Sequence, residues 1–240
     1  MKRSLIKKII VIAVAVLLIG VPAVYLNTSY HAGETALSVI NTEHNGVKIE
    51  DNGKYYTFVP DDVKAGFIFY PGGKVDTLAY APLMEKCAEE GILCILVHMP
   101  FNLAVFDINA ADRYTDLYPE VERWYIGGHS LGGACASMYI DEHRDLFEGL
   151  ILLASYSTKD LSDSGLSVLS ITASNDGILN FDKYTENIRN LPADHIEYQI
   201  KGGNHSQFAD YGFQKGDGKA TIDPEEQLED VSTAIITFIG

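Results

Sequence analysis

The chain has 240 residues, of which 47% are apolar and 10% aromatic, so it can bury the core of one domain and is too hydrophobic to be a disordered polymer. Its formal net charge is −15, and every acidic residue follows the N-terminal apolar run, whereas Lys2, Arg3, Lys7 and Lys8 precede it. So acidic a surface repels phosphate backbones, which argues against nucleic acid as a partner and disfavours large polyanionic substrates.

Residues 1–26 come first. Positions 9–26 read IIVIAVAVLLIGVPAVYL, a run without charge that is long enough to cross a bilayer core of about 30 Å. The basic residues before it keep that end in the cytoplasm by the positive-inside rule, so a single-pass signal anchor would leave the rest of the chain outside. A cleaved signal peptide, with secretion, is the alternative, supported by Pro22 and Ala23 but lacking a clean A-x-A site. Residues 27–45 read as a linker, and residues 46–240 as the folded domain.

Within that domain strands and helices alternate. Residues 47–49 and 55–59 form a hairpin around Asp51-Asn52-Gly53. Residues 65–70 (AGFIFY) are a short buried strand ending in Pro71-Gly72-Gly73. A helix over 78–90 closes on Gly91, and 92–98 is a second buried strand. Residues 104–118 read as helical. Strand 124–127, helix 131–142, strands 149–154 and 166–173, helix 181–190 and strand 195–200 follow. The last helix opens with Asp223-Pro224-Glu225-Glu226, an N-cap residue with proline at the first helical position. Such alternation predicts an α/β fold with a mostly parallel sheet covered on both faces, whose ligands bind beyond the carboxyl ends of the strands.

Gly128-His129-Ser130-Leu131-Gly132 is a G-x-S-x-G motif between a strand and a helix, the context of a nucleophile elbow. A serine hydroxyl needs a base at neutral pH, and in this kind of fold an acid and then a histidine follow in chain order. Asp176 follows strand 166–173, and His205 follows strand 195–200, both in glycine-containing turns. His205 would relay the serine proton and Asp176 would hold the imidazole tautomer. Candidate oxyanion donors are the backbone N–H of Leu131 and that of Gly73 or Lys74, in the loop after AGFIFY. His129 is the variable position of the elbow. His31, His44, His98, His143 and His195 stand at other places in the chain.

Cys87, Cys94 and Cys135 have no zinc or redox spacing, no metal constellation is visible, and no phosphate- or dinucleotide-binding glycine loop points to a cofactor. Oligomeric state is not legible in the sequence.

The stretches FYPGGKVDTLAYAPL, HMPFNLAVF, GGHSLGGACAS, GLILLASYS, SNDGIL and GGNHSQFADYGFQKGDGKATI resemble a small, lidless α/β-hydrolase family akin to the dienelactone-hydrolase-like branch. The last stretch is the most distinctive, and Ala209 departs from the glycine expected after the phenylalanine. The resemblance implies a triad of Ser130, Asp176 and His205, and it supplies no substrate. Only residues 157–165 separate two strands where many such folds insert a lid. The expectation is therefore a serine esterase with an open, shallow site for a small ester-type substrate. A peptidase or amidase on the same fold, or a binding domain that keeps the hydrolase shape, are the competing readings.

Overall fold

A computed structural model describes residues 7–9, 28–41 and 46–240. The expected membrane segment lies outside these residues except for its first position, and no described helix is long and apolar enough to cross a membrane.

Among the described residues eight strands form one sheet: β1 (Val47–Asp51), β2 (Tyr55–Pro60), β3 (Ala65–Tyr70), β4 (Ile92–Val97), β5 (Trp124–His129), β6 (Gly149–Leu153), β7 (Ser167–Ala173) and β8 (Ile196–Ile200). Their spatial order is β1-β2-β4-β3-β5-β6-β7-β8. The β1–β2 and β2–β4 pairs are antiparallel and all the others are parallel. The antiparallel start follows from the hairpin turn, where Gly53 takes a φ of +76° and its N–H donates to Asp51 Oδ1 at 2.7 Å. From β3 onward each strand is reached through a crossover and runs in the same direction, so the pairings among β3 to β8 are parallel.

The continuous apolar strands are buried on both sides. In β3, Phe67 and Phe69 enter one core, with Met84, Ile171 and Ile235. Ile68 and Tyr70 enter the other, with Ile95, Tyr139 and Leu152. That split is the two-residue period of a strand, and each such side chain contributes about 1.5–3 kcal/mol on burial. Helices α2 (Ala81–Glu89) and α5 (Pro224–Ile239) cover the first face, and α3 (Leu131–Glu142) covers the second. A shorter helix, α4 (Phe181–Asn187), lies between β7 and β8. In α5 Asp223 holds the N-cap position, but its side chain makes no capping bond.

Two local readings change. Residues 104–118 form three separate 3-10 turns, Ala104–Phe106, Ile108–Arg113 and Thr115–Leu117, instead of one helix. Asp107 interrupts the run with φ −153° and ψ 57°, and its carboxylate pairs with Arg113 at 2.6 Å. Tyr70 Oη donates to Ile108 O at 2.8 Å and accepts from Ala111 N–H at 2.9 Å, so a buried tyrosine replaces part of the helical ladder. Residues 28–41, read as linker, are packed onto the domain. They carry helix α1 (Glu34–Val39), and Tyr30 forms a parallel bridge with Val75.

Candidate active site

The carboxyl ends of β3, β5, β7 and β8 present the loops that carry the candidate residues. Ser130 joins β5 to α3 with φ 52° and ψ −120°, a conformation that side-chain-bearing residues rarely adopt. Surrounding structure holds it there. Its N–H donates to Leu153 O at 2.9 Å, and its carbonyl accepts from Ser155 Oγ at 2.8 Å. A Cβ on Gly128 would come within 2.5 Å of Tyr70 O, and one on Gly132 would overlap the same carbonyl. Those two glycines let the turn lie against the end of β3, which is the physical content of the motif. Among the described residues Ser130 Oγ has no hydrogen-bond partner, and the serine is partly exposed.

Asp176 and His205 are brought together. His205 Nδ1 and Asp176 Oδ2 lie 2.8 Å apart, with side chains 2% and 0% exposed. Asp176 Oδ1 accepts from the N–H groups of Ile178 and Leu179, each at 2.8 Å. The carboxylate thus keeps one oxygen for the imidazole and has the other fixed by backbone. Their loops are joined directly, because Asn175 N–H donates to Gly203 O at 2.9 Å.

Leu131 and Gly73 are neighbours across the site: a Cβ on Gly73 would touch the Leu131 side chain at 3.1 Å. Lys74 does not serve as the sequence allowed. Its N–H donates to Asn102 O at 2.8 Å, which takes that donor out of the set and leaves Gly73 as the loop's candidate.

Three residues emerge that the sequence did not single out for the site. His129, set aside as the variable position of the elbow, is 1% exposed, and its ring centroid lies 4.4 Å from that of His205. Burial first, and then the neighbouring charge of His205, hold its pKa well below the usual 6.5, so it stays neutral. Tyr80 Oη accepts from Gly72 N–H at 3.0 Å and contacts His129 Nδ1 at 2.7 Å. The phenol thus accepts from Gly72 N–H and shares a hydrogen bond with His129 Nδ1, while His129 Nε2 is buried without a partner among the described residues. One phenol therefore links the loop after β3 to the elbow.

Asp217 does the same for the acid–base side. Its Oδ1 accepts from Gly177 N–H at 3.0 Å, His205 N–H at 3.3 Å and Gly218 N–H at 2.7 Å. Its Oδ2 accepts from Ser206 N–H at 2.8 Å and Ser206 Oγ at 2.6 Å. Burial alone would raise its pKa, but hydrogen bonds from Gly177, Ser206 and Gly218 outweigh it and hold the carboxyl below the usual 3.8. The only sequence signal for Asp217 was its place in the distinctive stretch that also contains His205.

The remaining histidines stay apart. His31 pairs with Asp76, His98 lies against the ring of Tyr56 with centroids 4.9 Å apart, His143 pairs with Tyr139 O, and His195 with Pro192 O. His44 lies outside the described residues. Among the described residues no cluster of His, Cys, Asp or Glu could hold a metal ion, and all three cysteines are buried and free.

A family model for the "Alpha/beta hydrolase family" matches residues 66–229, from β3 into α5. The chain belongs to the alpha/beta hydrolase family. Solved structures share its fold. Est1E from Butyrivibrio proteoclasticus aligns with a TM-score of 0.57 at 15% identity, over 81% of this chain and 98% of that one. A "predicted CIB-like hydrolase" from Thermoplasma acidophilum gives 0.56 at 15%, over 80% and 97%. The "alpha/beta hydrolase enzyme" MGS-MChE2, from the metagenome of sediments from the lagoon of Mar Chica, Morocco, gives 0.57 at 14%, over 78% and 96%. At these identities the likeness speaks for the fold. A search of curated proteins gives no significant match. The family match does not by itself single out the dienelactone-hydrolase-like branch.

Proposed function

We propose that the protein is a serine hydrolase that cleaves a small ester-type bond, whether carboxylic ester, lactone or thioester, through an acyl-enzyme intermediate. The observation that carries this reading is the buried Asp176–His205 pair at 2.8 Å, whose imidazole lies 4.4 Å from the ring of His129 in the elbow that holds Ser130 at a strained φ. Ser130 Oγ attacks the carbonyl carbon while His205 Nε2 takes its proton, and the C–O or C–S bond to the leaving group breaks with that proton delivered to it. Water then attacks the acyl-serine by the same relay and releases the acid. Asp176 fixes the tautomer through Nδ1, and the N–H groups of Leu131 and Gly73 receive the oxyanion. Residues 9–26 serve as a signal anchor that places this domain outside the cell.

Fluorophosphonate labelling of the wild type beside Ser130→Ala tests the reading. Labelling confined to the wild type, with hydrolysis of short acyl esters reduced by roughly 10⁴–10⁶-fold in the variant, is the expected outcome. A folded wild type that takes no label contradicts it.

A further inference from the structure

The chain leaves its apolar run at Leu26 and is fastened to the candidate site almost at once. Thr28 Oγ1 accepts from Lys74 Nζ at 2.9 Å. Tyr30 N–H donates to Lys74 O at 2.8 Å, and Asp76 N–H donates to Tyr30 O at 2.9 Å. The Tyr30 ring lies 5.4 Å from that of Tyr211, and Gly33 N–H and Ala36 N–H donate to Asp210 O and Asp210 Oδ2, each at 2.8 Å. The entry segment is thus stitched to both loops of the site, the one that carries Gly73 and the one that carries His205. In the sequence only Asn27 stands between the apolar run and Thr28, and an extended chain advances at most about 3.6 Å per residue.

The surface beside this attachment is apolar. The loop after β4 is bonded to the same strip, through Lys74 N–H to Asn102 O at 2.8 Å and Asn102 Nδ2 to Asp76 Oδ1 at 3.1 Å. That loop holds Phe101, and Phe106 packs edge-on against it with ring centroids 5.8 Å apart. Phe213 follows Tyr211 on the stretch after His205. Phe101, Phe106 and Phe213 are 70%, 61% and 61% exposed, the highest values among the large apolar side chains of the described residues. Exposed apolar clusters of this kind mark interaction sites, and aromatic rings suit the interfacial layer of a bilayer.

We propose that the mouth of the site faces the bilayer that the anchor crosses, with Phe106 and Phe213 seated in its head-group layer. The substrate is then an acyl ester carried at head-group level by a membrane amphiphile. This proposal rests on the anchor and on the serine-hydrolase reading. It follows from where the apolar run ends: a short tether bonded to the rim of the site cannot hold that rim far from the membrane.

The test uses the full chain in phosphatidylcholine liposomes that contain phosphatidylcholine brominated near the head group. A fluorophore is placed on Phe106→Cys, on Phe213→Cys and, as a reference at the amino end of β3, on Asp62→Cys. The native cysteines are buried and do not compete for label. Expected are co-flotation with the liposomes and quenching at 106 and 213 at least about threefold stronger than at 62, as for rings set 5–10 Å into the interface. A failure to co-float overturns the anchor and the proposal together. Co-flotation with equal quenching at all three positions leaves the anchor standing and overturns the orientation. Blue-shifted emission at 106 and 213 that depends on protein concentration and not on brominated lipid assigns the patch to a second copy, and also overturns it. For the substrate class, an acetyl ester borne on a diacyl lipid is compared with its soluble counterpart in the same liposomes. At least about tenfold faster hydrolysis of the lipid-borne ester is expected, and equal rates refute the class. Fluorophosphonate labelling of Ser130 reports separately on the hydrolase reading.

Discussion

The two sides of the candidate site are held in place by different means. The elbow side relies on backbone sterics: Ser130 sits at φ 52° because glycines at 128 and 132 allow the turn to approach the Tyr70 carbonyl. The acid–base side relies on side-chain hydrogen bonds, where Asp217 alone accepts from Gly177, Ser206, Gly218 and the His205 amide. A sterically built turn tolerates no added atom. A hydrogen-bonded loop tolerates changes of shape and fails when a donor or acceptor is lost. Substitutions on each side should therefore fail in different ways.

Apart from loss of Ser130 itself, the largest effect is expected from Asp176→Asn, which keeps the shape and donates where His205 needs an acceptor. Ester hydrolysis should fall by about 10³–10⁴-fold with the fold intact by circular dichroism. A loss below tenfold would remove Asp176 from the relay. Next comes Gly132→Ala, whose methyl would overlap the Tyr70 carbonyl. A loss of about 3 kcal/mol or more in denaturant unfolding is expected, as for other overpacked or strained sites. Full stability in this variant would break the contrast between the two sides.

Asp217→Asn should lower kcat by about 10–100-fold with little change in KM, because the loop carrying His205 loses its orientation and not its contact with substrate. The same residue predicts a pH effect. A carboxyl held below 3.8 stabilises the fold at pH above that value, and the contribution is lost as pH falls through 3.8 and below. Thermal unfolding followed from pH 6 down to about 3 should thus drop less steeply in Asp217→Asn than in the wild type. The smallest effect is expected from Tyr80→Phe, which leaves Gly72 N–H and His129 Nδ1 without the hydroxyl they share. A cost of about 1–3 kcal/mol in stability, with activity changed by less than about tenfold, would fit a phenol that links two loops without touching substrate.

The elbow was legible in the sequence because its constraint is local: five consecutive residues carry both the chemistry and the sterics. The placement of Ser130, Asp176 and His205 was legible because each follows a strand that its apolar run betrays. His129 was read past, since its bond to Tyr80 joins residues 49 positions apart and its contact with His205 joins residues still further apart in the chain. Residues 104–118 misled for a related reason. Their apolar spacing suits a helix, but Tyr70 from β3 competes for their backbone groups, and no local pattern records a competitor that arrives from elsewhere.

The sequence by itself determined the alternating strands and helices, the strained serine turn, and the placement of Asp176 and His205 after successive strands. These follow from patterns of period two and 3.6 and from short turn chemistry. Tertiary structure decided that Asp217 braces the His205 loop, that Lys74 gives its amide to Asn102, and that residues 28–41 are fastened to the rim of the site. Each of those outcomes depends on which distant backbone donor finds which acceptor once the sheet has formed, and that pairing is set by three-dimensional proximity.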